Sequence, residues 1–282
     1  MAGLHVDSYE CSGAGSSGPP LLLIHGWAMH GGMWRTVAER LAQHFHVLAV
    51  DLPGHGYSMG SGEWGVGSRE PENPLTLPTP HLLLDSIVDE LSAQSSEPLN
   101  ICGWSLGGQV ALRWAMRYPQ QVQRLMLVAS TPCFVRSEGW NHAMSMELLL
   151  EFGAALQQHY ALTLKRFLAL QVRGGGQERE LLAVFRDILF SRGEPDPGAL
   201  QCGLEILRTC DLRDALPSIT QPALIVAGEC DALVPMEASQ YMAQQMPFAE
   251  LVRIKGAAHA PFLSNADEFI QHLVRFMNKG IG

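Results

Sequence analysis

The chain has 282 residues, 47% of them hydrophobic, enough to bury a core unaided as one large α/β domain or two small ones. A formal net charge of -9 excludes a general nucleic-acid binder, which needs a basic footprint, and no apolar run approaches the length of a membrane span. The opening Met1-Ala2-Gly3-Leu4-His5-Val6-Asp7 has no basic or apolar stretch of a signal peptide, and the six cysteines lack Cys-x-x-Cys or zinc spacing, so a cytoplasmic protein with reduced thiols is expected.

In chain order, Leu4 to Tyr9 reads as a first strand and Ser12 to Pro20 as a Gly/Ser-rich turn. Leu21 to His25 is a continuous apolar run, the signature of a buried central strand, and it ends in Gly26-Trp27. A helix over Met33 to Gln43 leads into a strand over His46 to Val50. Asp51 to Ser58 is then a tight loop on the same rim as Gly26, because parallel strands all end on one edge. Met59 to Pro80, rich in Gly, Pro, Ser and Glu without periodicity, is expected to be a mobile surface insertion. A helix over His81 to Gln94 follows, then a strand from Asn100 and a helix that starts directly after Ser105. Arg124 to Ser130 is the next strand. Up to this point strand and helix alternate, which implies a mostly parallel sheet.

The alternation breaks at Thr131-Pro132, and from Glu138 to Cys210 only helical patterns appear. Their apolar positions, among them Leu148, Phe152, Phe167 and Phe185, need something to cover. The reading is an α/β core over residues 1–132 and 211–282 with a helical cap over 133–210 lying on the strand ends. The sheet resumes with Pro222 to Gly228, and a helix over Glu237 to Met246, a strand over Ala249 to Ile254 and a helix over Asn265 to Met277 complete the chain. Between Lys165 and Arg192 the cap carries Lys165, Arg166, Arg173, Arg179, Arg186 and Arg192 against Glu178, Glu180 and Asp187, a local basic excess in an acidic chain.

The chemistry centres on Gly103-Trp104-Ser105-Leu106-Gly107. A serine on a sharp strand-to-helix turn needs small residues two positions away on each side, and its hydroxyl then stands at a helix N-terminus, where negative charge is favoured. A serine hydroxyl needs a base, and the base an orienting acid. In the Gly-x-Ser-x-Gly arrangement acid and histidine follow the serine in sequence. Of eleven histidines only His142, His159, His259 and His272 do so. His142 and His159 lie in the cap and His272 in the terminal helix, whereas His259 sits in a loop after a strand and is the expected base. Asp231, in the loop after the Ala223 to Ala227 strand, is the expected acid, with Asp211 an outside candidate and Glu229 the capping residue of the strand end. The backbone N–H groups of Leu106 and Trp27 are placed to form an oxyanion hole. His25 and Asp51 are read as residues that hold loops.

With these segments in view, Leu23-Ile24-His25-Gly26-Trp27, Val50-Asp51-Leu52-Pro53-Gly54-His55-Gly56-Tyr57-Ser58, Cys102 to Gly108 and Ala257 to Phe262 resemble the α/β-hydrolase superfamily. Val128 to Phe134, Arg166-Phe167-Leu168-Ala169-Leu170-Gln171 and Gly203 to Leu207 extend the resemblance to the pimeloyl-acyl-carrier-protein methyl ester esterases of biotin synthesis. That resemblance implies an α/β-hydrolase fold with an inserted cap and hydrolysis of the methyl ester of a pimeloyl chain on acyl carrier protein. By position it implies Ser105, Asp231 and His259 as triad, Trp27 and Leu106 at the oxyanion, and Trp27 and Phe167 against the substrate. Arg166 and Arg179 would face the carrier, with Arg186 a substitute for family arginines that this chain lacks. No cofactor or metal is implied, and a monomer is expected. The alternatives are a broad short-chain carboxylesterase sharing every catalytic residue, and a hydrolase-like ligand-binding protein without catalysis.

Overall fold

The computed structural model describes residues 4–13, 18–58 and 80–280, so the expected insertion over 59–80 lies, but for Pro80, outside the described residues. The sheet forms where the apolar runs are. Strands β1 (Val6–Tyr9), β2 (Leu21–Ile24), β3 (Val47–Val50), β4 (Leu99–Trp104), β5 (Val122–Val128), β6 (Ala223–Gly228) and β7 (Ala249–Ile254) make one seven-stranded sheet in the order β1-β3-β2-β4-β5-β6-β7. Only β1 runs antiparallel to its neighbour, pairing Val6 with Val50 and Tyr9 with Val47. β2, β4 and β6 are buried along their whole length, as strands covered on both faces must be.

Helices α1 (Arg35–Leu41), α2 (Pro80–Ser92) and α3 (Leu106–Arg117) follow β2, β3 and β4, and Pro119 stops α3's continuation. Between β5 and β6 stand α4 (Met146–Gln158), α5 (Tyr160–Val172), α6 (Glu178–Leu189) and α7 (Pro197–Thr209). Ser145 and Asp196 cap α4 and α7 by accepting the amides of Leu148 and Ala199. On α6 the buried Leu181, Phe185 and Leu189 recur every four residues, the stripe an amphipathic helix presents to a core. The chain closes with α8 (Met236–Gln245), α9 (Pro261–Ser264) and α10 (Ala266–Met277).

These inserted helices are fixed to the sheet edge by polar contacts. Trp27 Nε1 donates to the Leu200 carbonyl (2.9 Å), His30 Nε2 to Ile188 O (2.8 Å), and the Asp196 amide to Gly54 O (2.8 Å). Arg192, between α6 and α7, donates to both carboxylate oxygens of the fully buried Asp51 at 3.0 and 3.1 Å, and also to Asp7. Asp51 further accepts the Gly31 and Tyr57 amides at 2.6 and 2.8 Å, so a buried charge is compensated on every side. Among the described residues, no helix is long and apolar enough to cross a membrane.

Candidate active site

At the end of β4 the chain turns through Ser105, whose φ of 55° and ψ of -117° lie where L side chains rarely go. Such a conformation costs about 1–3 kcal/mol and persists only because the surroundings over-determine it. Here the Ser105 amide continues the sheet to Val128 O (2.9 Å), and its carbonyl accepts both the Gly108 amide and the Ser130 hydroxyl, each at 2.9 Å. Two glycines make the turn sterically feasible. A Cβ on Gly103 would overlap the Gly107 carbonyl, and one on Gly107 would stand 2.5 Å from Ile24 O and 2.6 Å from His25 O. A sharp strand-to-helix elbow of this kind is what the spacing predicts.

The Leu106 amide is the first of α3, where N–H groups have no intrahelical carbonyl to bond and the helix dipole favours negative charge. Trp27 sits in a turn closed by Met29 N–H to Gly26 O (3.2 Å), with Ala28 at φ 63°. Gly26 brings this turn against the elbow: a Cβ there would stand 3.2 Å from Ser105 Cβ. The Trp27 ring is buried, edge-on to Phe167 of α5 (4.9 Å between centroids) and to Phe152 of α4 (5.4 Å). The sequence singled out Phe167; Phe152 joins it because α4 and α5 pack side by side over the turn.

His259 and Asp231 meet. His259 Nδ1 lies 2.8 Å from Asp231 Oδ2, both side chains nearly inaccessible to solvent. Asp231 Oδ1 accepts the amides of Leu233 (2.8 Å) and Val234 (3.0 Å). The carboxylate is thus held by its own loop with one oxygen free for the imidazole, an arrangement that favours the proton on Nδ1 and leaves Nε2 able to accept one. Trp104 Nε1 donates to the His259 carbonyl (2.8 Å), tying the histidine to the residue before Ser105. Trp104 occupies a free position of the Gly-x-Ser-x-Gly pattern, and its tether spans 155 positions without a local signal in the sequence.

The other candidates lie elsewhere. His142 stacks edge-on against Trp140, His159 separates α4 from α5, and His272 lies on α10 beside Glu268 (3.9 Å). Asp211 pairs with Arg213 (2.6 Å), and Glu229 accepts the Gly256 amide (3.1 Å). Of the basic run, Lys165, Arg166, Arg173, Arg179 and Arg186 are exposed and none forms an ion pair with another described residue, whereas Arg192 is committed to Asp51 and Asp7. Arg179 and Arg186 stand two turns apart on the exposed face of α6. Among the described residues no three His, Cys, Asp or Glu side chains are grouped to hold a metal ion.

His25 bridges two loops, donating from Nδ1 to Gly26 O (2.8 Å) and accepting the Leu52 amide at Nε2 (2.9 Å). Burial holds its pKa well below the ordinary imidazole value, and burial also lowers those of His30 and His55. All three are therefore neutral in the folded chain at neutral pH and take up protons less readily there than in the unfolded chain, where an imidazole ionises near about pH 6.5. Below about pH 6.5 the unfolded state binds protons that the native state does not, so stability falls as pH drops through this window towards the folded pKa values. Thermal unfolding at about pH 7.5 and about pH 5.5 is expected to give a lower Tm in acid, with a smaller drop in His55→Phe; equal drops in the two proteins would show that His55 carries no share.

A family model described as the alpha/beta hydrolase fold matches residues 19–266. A relative from Nitrosospira multiformis named pimeloyl-[acyl-carrier protein] methyl ester esterase is 41% identical over 259 residues, 92% of this chain and 94% of that protein. Another of the same name, from Xanthomonas oryzae pv. oryzae, is 43% identical over 92% of this chain and 95% of its own length. An esterase structure from Exiguobacterium antarcticum superposes with a TM-score of 0.80 over 98% of this chain and 96% of that one, at 22% identity, which speaks to the fold alone.

Proposed function

The chain belongs to the pimeloyl-[acyl-carrier protein] methyl ester esterases of the alpha/beta hydrolase fold, and from that premise we propose that Ser105, His259 and Asp231 are the triad with which it demethylates a carrier-bound pimeloyl ester. The observation that carries the reading is the His259–Asp231 pair (2.8 Å) on the same sheet edge as the strained Ser105 turn. In the first step His259 Nε2 takes the Ser105 proton as Oγ attacks the ester carbonyl carbon, and the oxyanion rests on the Trp27 and Leu106 amides. Collapse breaks the bond to the methoxy oxygen, His259 returns the proton, and methanol leaves. Water, deprotonated by the same nitrogen, then releases the free carboxylate. No step needs a cofactor. On this reading the enzyme acts in the cytoplasm as a monomer, in biotin synthesis, with residues 133–210 as its cap.

The acyl chain would lie along Trp27 and Phe167, leaving the carrier outside the cap. Acyl carrier protein is strongly acidic, so a chain of net charge -9 must offer a basic patch to receive it. The exposed Arg166, Arg179 and Arg186 are that patch. The test compares kcat/KM on pimeloyl methyl ester attached to the carrier with that on a short free ester. A large preference for the carrier-bound ester is expected. Arg166→Ala and Arg179→Ala should each lower it about tenfold, most strongly at low salt, and leave the free ester within about twofold. Equal losses on both substrates would remove the patch from the reading, and activity on free esters alone would make the protein a general carboxylesterase.

A further inference from the structure

The main chain of His259 is held from two sides by elements outside its own loop. Its carbonyl accepts Trp104 Nε1 from the sheet, and its amide donates to Gln171 O (3.0 Å) on α5. Gln171 lies in the last turn of α5, where carbonyls have no intrahelical donor, so the histidine amide fills a helix end that would otherwise be unsatisfied. The following turn stays in contact. Gly176 N–H donates to Gly256 O (3.3 Å), a Cβ on Gly175 would stand 3.4 Å from Ala258 Cβ, and one on Gly174 (φ 85°) would stand 3.4 Å from Cys230. Ala258 precedes the base and Cys230 precedes the acid. The two catalytic loops are also joined to each other, Cys230 N–H to Ala257 O at 2.8 Å.

We propose that the turn from Gln171 to Gly176 is a positioning clamp that sets His259 and Asp231 against Ser105, so that the cap fixes the geometry of the triad as well as covering the substrate. The proposal rests on the triad assignment above but not on the identity of the acyl group. The hydrogen bonds that tie it to the histidine loop, His259 N–H to Gln171 O and Gly176 N–H to Gly256 O, are made by backbone, so it acts through the main chain of the base. The same hairpin carries Arg166 on α5 and Arg179 on α6, so the surface offered to the carrier and the clamp on the histidine are one structural piece.

The test uses the full chain and p-nitrophenyl acetate, a free ester too small to need the acyl channel or the carrier. Gly175→Val wedges methyl groups between the turn and Ala258. It is expected to lower kcat at least tenfold, since displacements of about 1 Å in a reacting group cost up to about a hundredfold, with KM within about twofold. Gly174 supplies a second pair: Gly174→Val, which resists a positive φ, should lose kcat similarly, and Gly174→Asn, which tolerates it, should retain most of it. Gly153→Ala, on α4 with only Leu204 nearby at 3.9 Å, controls for alteration of the cap in general and should match the parent. Unchanged kcat in Gly175→Val and Gly174→Val, a loss confined to KM, or equal damage from Val and Asn at 174 would overturn the clamp. A parent enzyme that cleaves the free ester but not the carrier-bound one would overturn the substrate reading and leave this pattern standing.

Discussion

Ser105→Ala is expected to lower kcat for any ester the parent cleaves by about 10⁶-fold, the loss seen when the nucleophile of a serine triad is removed. The variant should fold normally. Alanine meets the same positive φ as serine, and the contacts that hold the turn, Ser105 N–H to Val128 O and Ser130 Oγ to Ser105 O, are made by the backbone. The effect is therefore assignable to one oxygen atom. The measurement is the rate with the parent as reference, alongside covalent labelling by a serine-directed phosphonate. Labelling at Ser105 in the parent and none in the variant is the expected pair. Residual turnover above about one part in a hundred would place the nucleophile elsewhere, whereas a parent that takes no label at Ser105 and cleaves no ester would return the chain to the ligand-binding alternative.

The elbow was legible in the sequence because its determinants are local: an apolar strand, two glycines whose side-chain positions are occupied by backbone, and an amphipathic helix that begins at once. Loops after β2, β6 and β7 could be placed on the same rim for a similarly general reason, since parallel strands all finish there. That rule brings Trp27, Asp231 and His259 together without any knowledge of packing. What the sequence could not supply are contacts between distant segments whose residue types say nothing of their partners. Arg192 looks like a member of a basic surface run, yet its guanidinium reaches Asp51 and Asp7, 141 and 185 positions away. The Gln171 carbonyl and the Trp104 indole have no periodicity to announce that they hold a histidine. Element ends shifted for local reasons: the helix expected from Met33 begins as a 3₁₀ turn over Gly31–Trp34, and Pro261 starts a separate short helix before α10.

Asp231→Asn is the second large effect, about 10⁴-fold in kcat with the fold intact. The reason lies in which atoms the carboxylate already serves. Oδ1 accepts two amides, from Leu233 and Val234, and an asparagine can satisfy them only by placing its own oxygen there. Its NH₂ group must then face His259 Nδ1, where Asp231 Oδ2 now stands at 2.8 Å. An NH₂ donor requires an acceptor, so Nδ1 loses its proton and the proton moves to Nε2, the nitrogen that has to accept from Ser105. The variant keeps the hydrogen bond and loses the base. Because the fault is the tautomer, the defect should appear in kcat far more than in KM, and raising pH, which favours the alkoxide without an imidazole base, should recover part of the rate. Asp231→Ala removes the NH₂ donor as well as the orienting oxygen and frees the imidazole to take either tautomer, so it should be no worse than Asp231→Asn despite the larger deletion. A much slower alanine variant would mean that the carboxylate's charge, rather than its control of the proton, is what His259 needs from it.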